Sequence, residues 1–153
     1  MNRAINVWTD GACEPNPVVG GWGYVIRVGG DVAESFGGER HTTNNRMELT
    51  AVLMAMSALA DDAQAMIYSD STYVVNGLTT WRARWRKREW CKTTGEPMPN
   101  RDLWRLLEAQ LLRVQDARFC WVREHSGDPG NERADELAAA GRAGSILLGE
   151  VAS

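Results

Sequence analysis

Nowhere does the sequence stay apolar for the roughly 20 residues that a membrane-spanning helix needs. Its start, Met1-Asn2-Arg3, leads into a strand-like segment without the apolar stretch of a secretion signal. Cysteine is scarce: Cys13, Cys91 and Cys120 are odd in number and scattered. They offer neither a disulfide framework nor the C-x-x-C spacing of a zinc site, and reduced thiols fit a cytoplasmic protein. Internal repeats and low-complexity segments are missing too. So is any excess of positive charge: the formal net charge of −3 argues weakly against a protein that binds nucleic acid.

Against these absences stand 153 residues, 44% of them hydrophobic, enough for one core. The mean charge also conceals a local excess. Between Trp81 and Trp90 lie Arg82, Arg84, Arg86, Lys87 and Arg88 against the single acid Glu89. Such a patch steers polyanions even on a mildly acidic molecule.

Periodicity orders the chain. Ala4 to Asp10 alternates apolar and polar residues as a strand does, and Gly11 to Pro17 reads as a loop. Two strand-like runs, Gly21–Val28 and Asp31–Glu39, flank Gly29-Gly30, which predicts a tight hairpin. From Thr43 to Ala60 the spacing becomes helical, with Thr43 as the cap. Ala65–Asp70 is a short buried strand. Ser71–Leu78 and Trp81–Arg88 read as two short helices broken near Gly77, and Cys91–Asn100 as a loop. Arg101–Val114 is helical, with Leu103, Leu106, Leu107, Leu111 and Val114 on one face. A strand over Arg118–Val122 and a helix over about Glu132–Ala140 follow. Residues 1–142 are read as one domain, and 143–153 as a tail open to disorder. The order predicts an α/β fold, a five-stranded mixed sheet flanked by helices, with an antiparallel hairpin and parallel strands.

Acids mark the ends of these elements. Asp10 ends the first strand, Asp70 ends the fourth, and Glu48 lies at the border of the first helix's apolar face. Chemistry in open α/β sheets gathers at the carboxyl ends of strands. Like charges brought together there repel, and a divalent cation removes the conflict. Mg²⁺ suits such a site because it takes a few carboxylate oxygens and keeps several waters. Any one of these acids, taken alone, is an ordinary surface charge or turn residue; their convergence is the signal.

Four segments in order carry a resemblance: Trp8-Thr9-Asp10-Gly11-Ala12, Thr43-Asn44-Asn45-Arg46-Met47-Glu48, Tyr68-Ser69-Asp70-Ser71, and His125-Ser126-Gly127 followed by Asn131-Glu132-Arg133-Ala134-Asp135. Together, over residues 4–141, they resemble bacterial type 1 ribonuclease H. The resemblance implies the ribonuclease H-like fold and an endonuclease that cuts the RNA strand of RNA–DNA hybrids, leaving 5′-phosphate and 3′-hydroxyl ends. It adds Asp135 to the acids and implies two Mg²⁺ ions, with Mn²⁺ able to substitute. Asp10 would bridge both ions, Asp135 would hold the one carrying the attacking water, and Glu48 and Asp70 the other. His125 would assist water activation or product release.

The same resemblance distributes the substrate contacts. Cys13, Asn16, Asn44, Asn45 and Thr72 would meet the RNA strand, whose 2′-hydroxyl both donates and accepts hydrogen bonds. Thr43 and Arg46 would hold a DNA phosphate. Trp81, Arg84, Trp85, Arg86, Lys87 and Arg88, with Trp104 on the next helix, would form a basic protrusion over about 81–100 that grips the DNA strand. Three positions depart from the usual pattern: Thr72 where relatives often carry Gln, Arg84 where many have Asn, and Glu124 where many have a small residue. Competing readings are a reverse-transcriptase or transposase-like nuclease on the same fold, and a binding module without catalysis. Four acids beside a phosphate backbone disfavour the latter. A monomer is sufficient for all of this.

Overall fold

The computed structural model describes residues 4–152, and side chains as far as residue 147. Five strands form one sheet in the order β3-β2-β1-β4-β5: β1 Ile5–Cys13, β2 Val18–Val28, β3 Asp31–Thr42, β4 Ala65–Ser69 and β5 Ala117–Trp121. β1, β2 and β3 are antiparallel, whereas β1–β4 and β4–β5 are parallel, as the predicted mixed sheet requires. Val28 pairs with Asp31 across Gly29-Gly30, and Gly29 has φ +61°. That left-handed conformation suits a two-residue hairpin turn, and glycine adopts it without a steric penalty. Among the described residues, no helix is long and apolar enough to cross a membrane.

Helices cover both faces. α1 (Asn44–Ser57) buries Leu49, Val52, Ala55 and Met56 against Val7, Ile26 and Ile67 of the sheet. Its cap is Thr43, whose hydroxyl accepts from the Arg46 backbone N–H at 3.2 Å. The other face is covered by α5 (Pro129–Ala152), where Ala134 and Leu137 meet Trp8 and Val25. Between β4 and β5 come α2 (Thr72–Asn76), a π-helical turn (Gly77–Trp81), α3 (Arg82–Lys87) and α4 (Arg101–Arg113).

Three element boundaries and one helix face differ from expectation, each for a packing reason. β1 continues three residues past Asp10 because β2 still pairs with it, down to Cys13 opposite Gly20. The expected break at Gly77 is a widened helical turn instead: Gly77 packs on the Trp104 ring, and a π turn absorbs the extra residue without ending the helix. On α4 the buried apolar residues are Leu103, Trp104 and Leu107, while Leu106 is 53% exposed; Leu106 lies across the helix from Trp104. Finally, α5 does not stop near Ala140 but runs to Ala152. Gly141 does not end it, because it sits where the helix backbone touches the backbone of Gly37.

One arginine ties α4 to the end of α1. The Arg113 guanidinium donates to the Met56 carbonyl at 2.7 Å, the Leu59 carbonyl at 2.8 Å and Asp61 at 2.8 Å. The Met56 carbonyl also accepts from the Leu59 N–H at 3.0 Å, so the Leu59 carbonyl, just past the end of α1, depends most on this arginine. Arg113→Ala should therefore destabilise the fold by about 1–3 kcal/mol, since hydrogen bonds from a charged group are lost and the Leu59 carbonyl loses its partner. Urea denaturation would show a lower midpoint with an unchanged slope.

Candidate metal centre and nucleic-acid interface

Register brings the first two acids together. The parallel pairing of β1 and β4 ends at Thr9 opposite Ser69, so Asp10 and Asp70 follow side by side. Glu48 arrives from α1. Gly11 makes this possible: a Cβ there would meet the backbone of Met47 and Glu48, so only glycine lets the helix start lie against β1. Oxygens of Asp10, Glu48 and Asp70 all lie within 4.8 Å of one another. Asp135 enters from α5 and lines the same cleft of about 480 Å³.

The cluster is under electrostatic stress. Burial pushes the Asp10 carboxyl up to about 8, opposed by a hydrogen bond with Glu48 and reinforced by the charges of Asp70 and Asp135. Burial, and then the charge of Asp10, raises Glu48 well above the usual carboxylate range. Asp70 is raised by burial and next by Glu124. Local relief includes the Gly11 backbone N–H, which donates to Asp10 at 2.9 Å.

These residues fit a hard divalent cation. Glu48 is 8% exposed, and its Oε2 is buried without a hydrogen-bond partner. A buried carboxylate oxygen is costly in that state, and a cation would satisfy it. The donor set consists of carboxylate oxygens, which favours Mg²⁺, Mn²⁺ or Ca²⁺ over softer metals.

Around the cleft the predicted contact residues separate into groups. Cys13, Asn44 and Asn16 are linked, because the Cys13 N–H donates to the Asn44 side-chain oxygen and the Asn44 N–H to that of Asn16 at 3.2 Å. Asn44, Asn45, Cys13 and Thr72 all line the cleft. Cys13 itself is buried, its thiol donating to the Pro15 and Thr42 carbonyls at 3.4 Å. His125 is 72% exposed and its Nε2 lies 3.0 Å from Glu124. It therefore faces Glu124, which lines the cleft, and does not itself join the acids.

The protrusion is built on aromatics packed in tilted and edge-to-face contact. Trp81 and Trp85 have ring centroids 5.7 Å apart, and Trp85 and Trp104 4.9 Å. Trp104 is completely buried and donates its indole N–H to the Tyr73 hydroxyl at 2.9 Å. It cannot touch a strand, which corrects its assignment as a contact; it supports Trp85 from beneath. Arg84, Lys87 and Arg88 are exposed. Arg86 is partly engaged, at 2.8 Å from Glu108, which also holds Arg82. Arg46 is committed to a two-pronged pair with Asp102 at 2.9 and 2.8 Å, so a phosphate at Thr43 would have to share that guanidinium.

With this geometry in place, comparison with known proteins is informative. The RNase H family profile matches residues 2–143. The chain belongs to the RNase H family. The ribonuclease H of Bordetella avium is 47% identical over 137 residues, which span 90% of this chain and 89% of that protein. That of Dechloromonas aromatica is 47% identical over 139 residues, covering 91% of this chain and 93% of its own. Among solved structures, LC9-RNase H1, a type 1 RNase H with the type 2 active-site motif, superposes with a TM-score of 0.77 at 27% identity, covering 95% of this chain and 74% of that one. The chain is a ribonuclease H enzyme of the bacterial type 1 kind.

For this ribonuclease H, two residues near the acids escaped sequence reasoning. Asn131 is 3% exposed and hydrogen-bonds Asp70, countering part of its upward shift. Its signal was available: it lies one helical turn before Asp135 and shares its face. The other is Asp128, the cap of α5. Its carboxylate accepts from the Gly130 and Asn131 N–H groups at 2.9 and 3.2 Å.

Proposed function

We propose that this enzyme hydrolyses the RNA strand of RNA–DNA hybrids endonucleolytically, leaving 5′-phosphate and 3′-hydroxyl ends, with Asp10, Glu48, Asp70 and Asp135 holding two Mg²⁺ ions. The observation that carries this reading is the convergence of three acid oxygens within 4.8 Å around an unpartnered Glu48 oxygen. The family match supports the activity. LC11-RNase H1, which shares this fold with a TM-score of 0.71 at 23% identity over 93% of this chain and 99% of its own, is known in complex with an RNA/DNA hybrid.

Bound there, a pair of Mg²⁺ ions supplies Lewis acidity for an in-line phosphodiester displacement. The chain's own residues do the rest. Asp10, fixed by the Gly11 N–H, and Asp70, fixed by Asn131, present oxygens in a set direction, which lowers the reorganisation needed during reaction. His125 accepts or delivers a proton at Nε2, which lies 3.0 Å from Glu124. Asn16, Asn44, Asn45 and the Cys13 loop read the 2′-hydroxyls, with Thr72 at the cleft edge. Trp81, Trp85, Arg84, Arg86, Lys87 and Arg88 hold the DNA strand, together with Thr43 and Arg46.

The direct test is cleavage of an end-labelled hybrid beside duplex DNA and duplex RNA, with and without Mg²⁺. Cleavage confined to the hybrid, dependent on Mg²⁺ and giving fragments with 5′-phosphates is the expected result. Cleavage of duplex DNA, or hybrid binding without cleavage in either Mg²⁺ or Mn²⁺, would overturn it.

A further inference from the structure

Beside the protrusion lies a second pocket that none of the roles above uses. It has a volume of about 310 Å³ and is lined by Arg86, Arg101, Arg105, Glu89 and Trp90. Helical spacing sets two of these cations together, since Arg101 and Arg105 are four apart on α4. The third, Arg86, comes from the last turn of α3. Trp90 is 7% exposed and is pinned by its N–H to the Trp85 carbonyl at 2.8 Å and by its carbonyl to the Met98 N–H at 3.0 Å. Three guanidiniums thus surround a rigid aromatic wall with one carboxylate, Glu89, among them.

The hydrogen bonding around them is incomplete. Glu108 takes one nitrogen of Arg86, which leaves most of that group's five N–H donors for other acceptors. The Nε of Arg101 is buried and has no acceptor at all. Like charges gathered around an orphaned donor call for an anion with several oxygens. A phosphate meets that demand, because guanidinium forks match its geometry.

We propose that this pocket binds a backbone phosphate of the hybrid's DNA strand, extending the footprint from α3 onto α4. Arg86 belongs to both the basic helix α3 and the pocket, so an anion seated there adjoins the helix that also carries Arg84 and Lys87. The proposal rests on the hybrid-binding reading.

The test is hybrid affinity across a KCl series, measured without divalent metal on the Asp10→Asn protein so that no strand is cut. Arg105 is exposed, so R105Q tests the charge without disturbing the fold, and R101Q tests the orphaned donor. Each should lower the slope of log affinity against log salt by about 1, the signature of one lost phosphate contact. R118Q removes the same charge from an exposed site on β5 and should keep the parent slope. Parental slopes in both R105Q and R101Q, or an equal loss in R118Q, would overturn the pocket. A parent protein with no affinity for hybrid would overturn the hybrid reading itself, a distinguishable result.

Discussion

Asp10→Asn will reduce hybrid cleavage in Mg²⁺ by a factor of about 10³ or more, and the metal-free variant will melt at a higher temperature than its parent. The two effects have one cause. Asp10 sits 5% exposed among Glu48, Asp70 and Asp135, where under the proposed two-metal function its charge would hold cations and is unfavourable without them. Losing an ion-holding oxygen removes several kcal/mol of transition-state stabilisation, at about 1.4 kcal/mol for each factor of ten. Asparagine keeps the shape and an oxygen for the Gly11 N–H, so the fold survives.

The stability gain carries a pH signature. Asp10 has a folded-state pKa of about 8, above its value in the unfolded chain. An acid shifted this way destabilises the native state fully above that pKa, and the penalty fades as pH falls toward the unfolded value near 4. The variant's advantage should therefore reach about 2–4 kcal/mol at pH 8 and shrink steadily toward pH 4. Thermal unfolding in EDTA at a series of pH values measures it. A variant less stable than its parent at pH 8 would contradict the account of the cluster as repulsive.

Gly21→Ala will lower both stability and turnover, although Gly21 touches none of the acids. α5 lies so close to the sheet that a Cβ at Gly21 would overlap the Ala138 carbonyl and the Arg142 N–H. These are helix backbone atoms, which cannot step aside as a flexible side chain could. Overpacking of this kind costs about 1–3 kcal/mol, and each kcal/mol lowers the melting temperature by roughly 2–4 °C in a domain of this size. Relief comes by lifting α5, and α5 carries Asn131 and Asp135. A displacement near 1 Å at reacting groups can cost on the order of 10²-fold in rate. Gly144→Ala, where a Cβ would meet nothing within 4 Å, is the control. It should raise helix stability by about 0.5–1 kcal/mol and leave turnover unchanged.

These two experiments separate what the sequence carries from what the fold adds. The mixed sheet was legible because strands announced themselves by alternation or, for Ala65–Asp70, as a short buried run, and long helices by their period; the Gly-Gly hairpin and the Thr43 cap are local chemistry that neighbours a few residues apart decide. Asp10 and Asp70 were read as candidates from strand ends, Glu48 from its helix face, and Asp135 through the family pattern. The tertiary structure decided the remainder. Gly141 reads as a helix terminator in isolation, and becomes a helix interior residue because Gly37 lies against it. Trp104 reads as one more aromatic of a basic cluster, and is buried because Gly77 opens a space for its ring. Asp128 reads as another acid, and is spent on the cap of α5. Arg101 and Arg105 drew no notice until α3 folded back beside them. In each case a residue's role depends on a partner distant in the chain. Periodicity and short motifs report only local preference, whereas contact between remote backbones is fixed by the packing of whole elements.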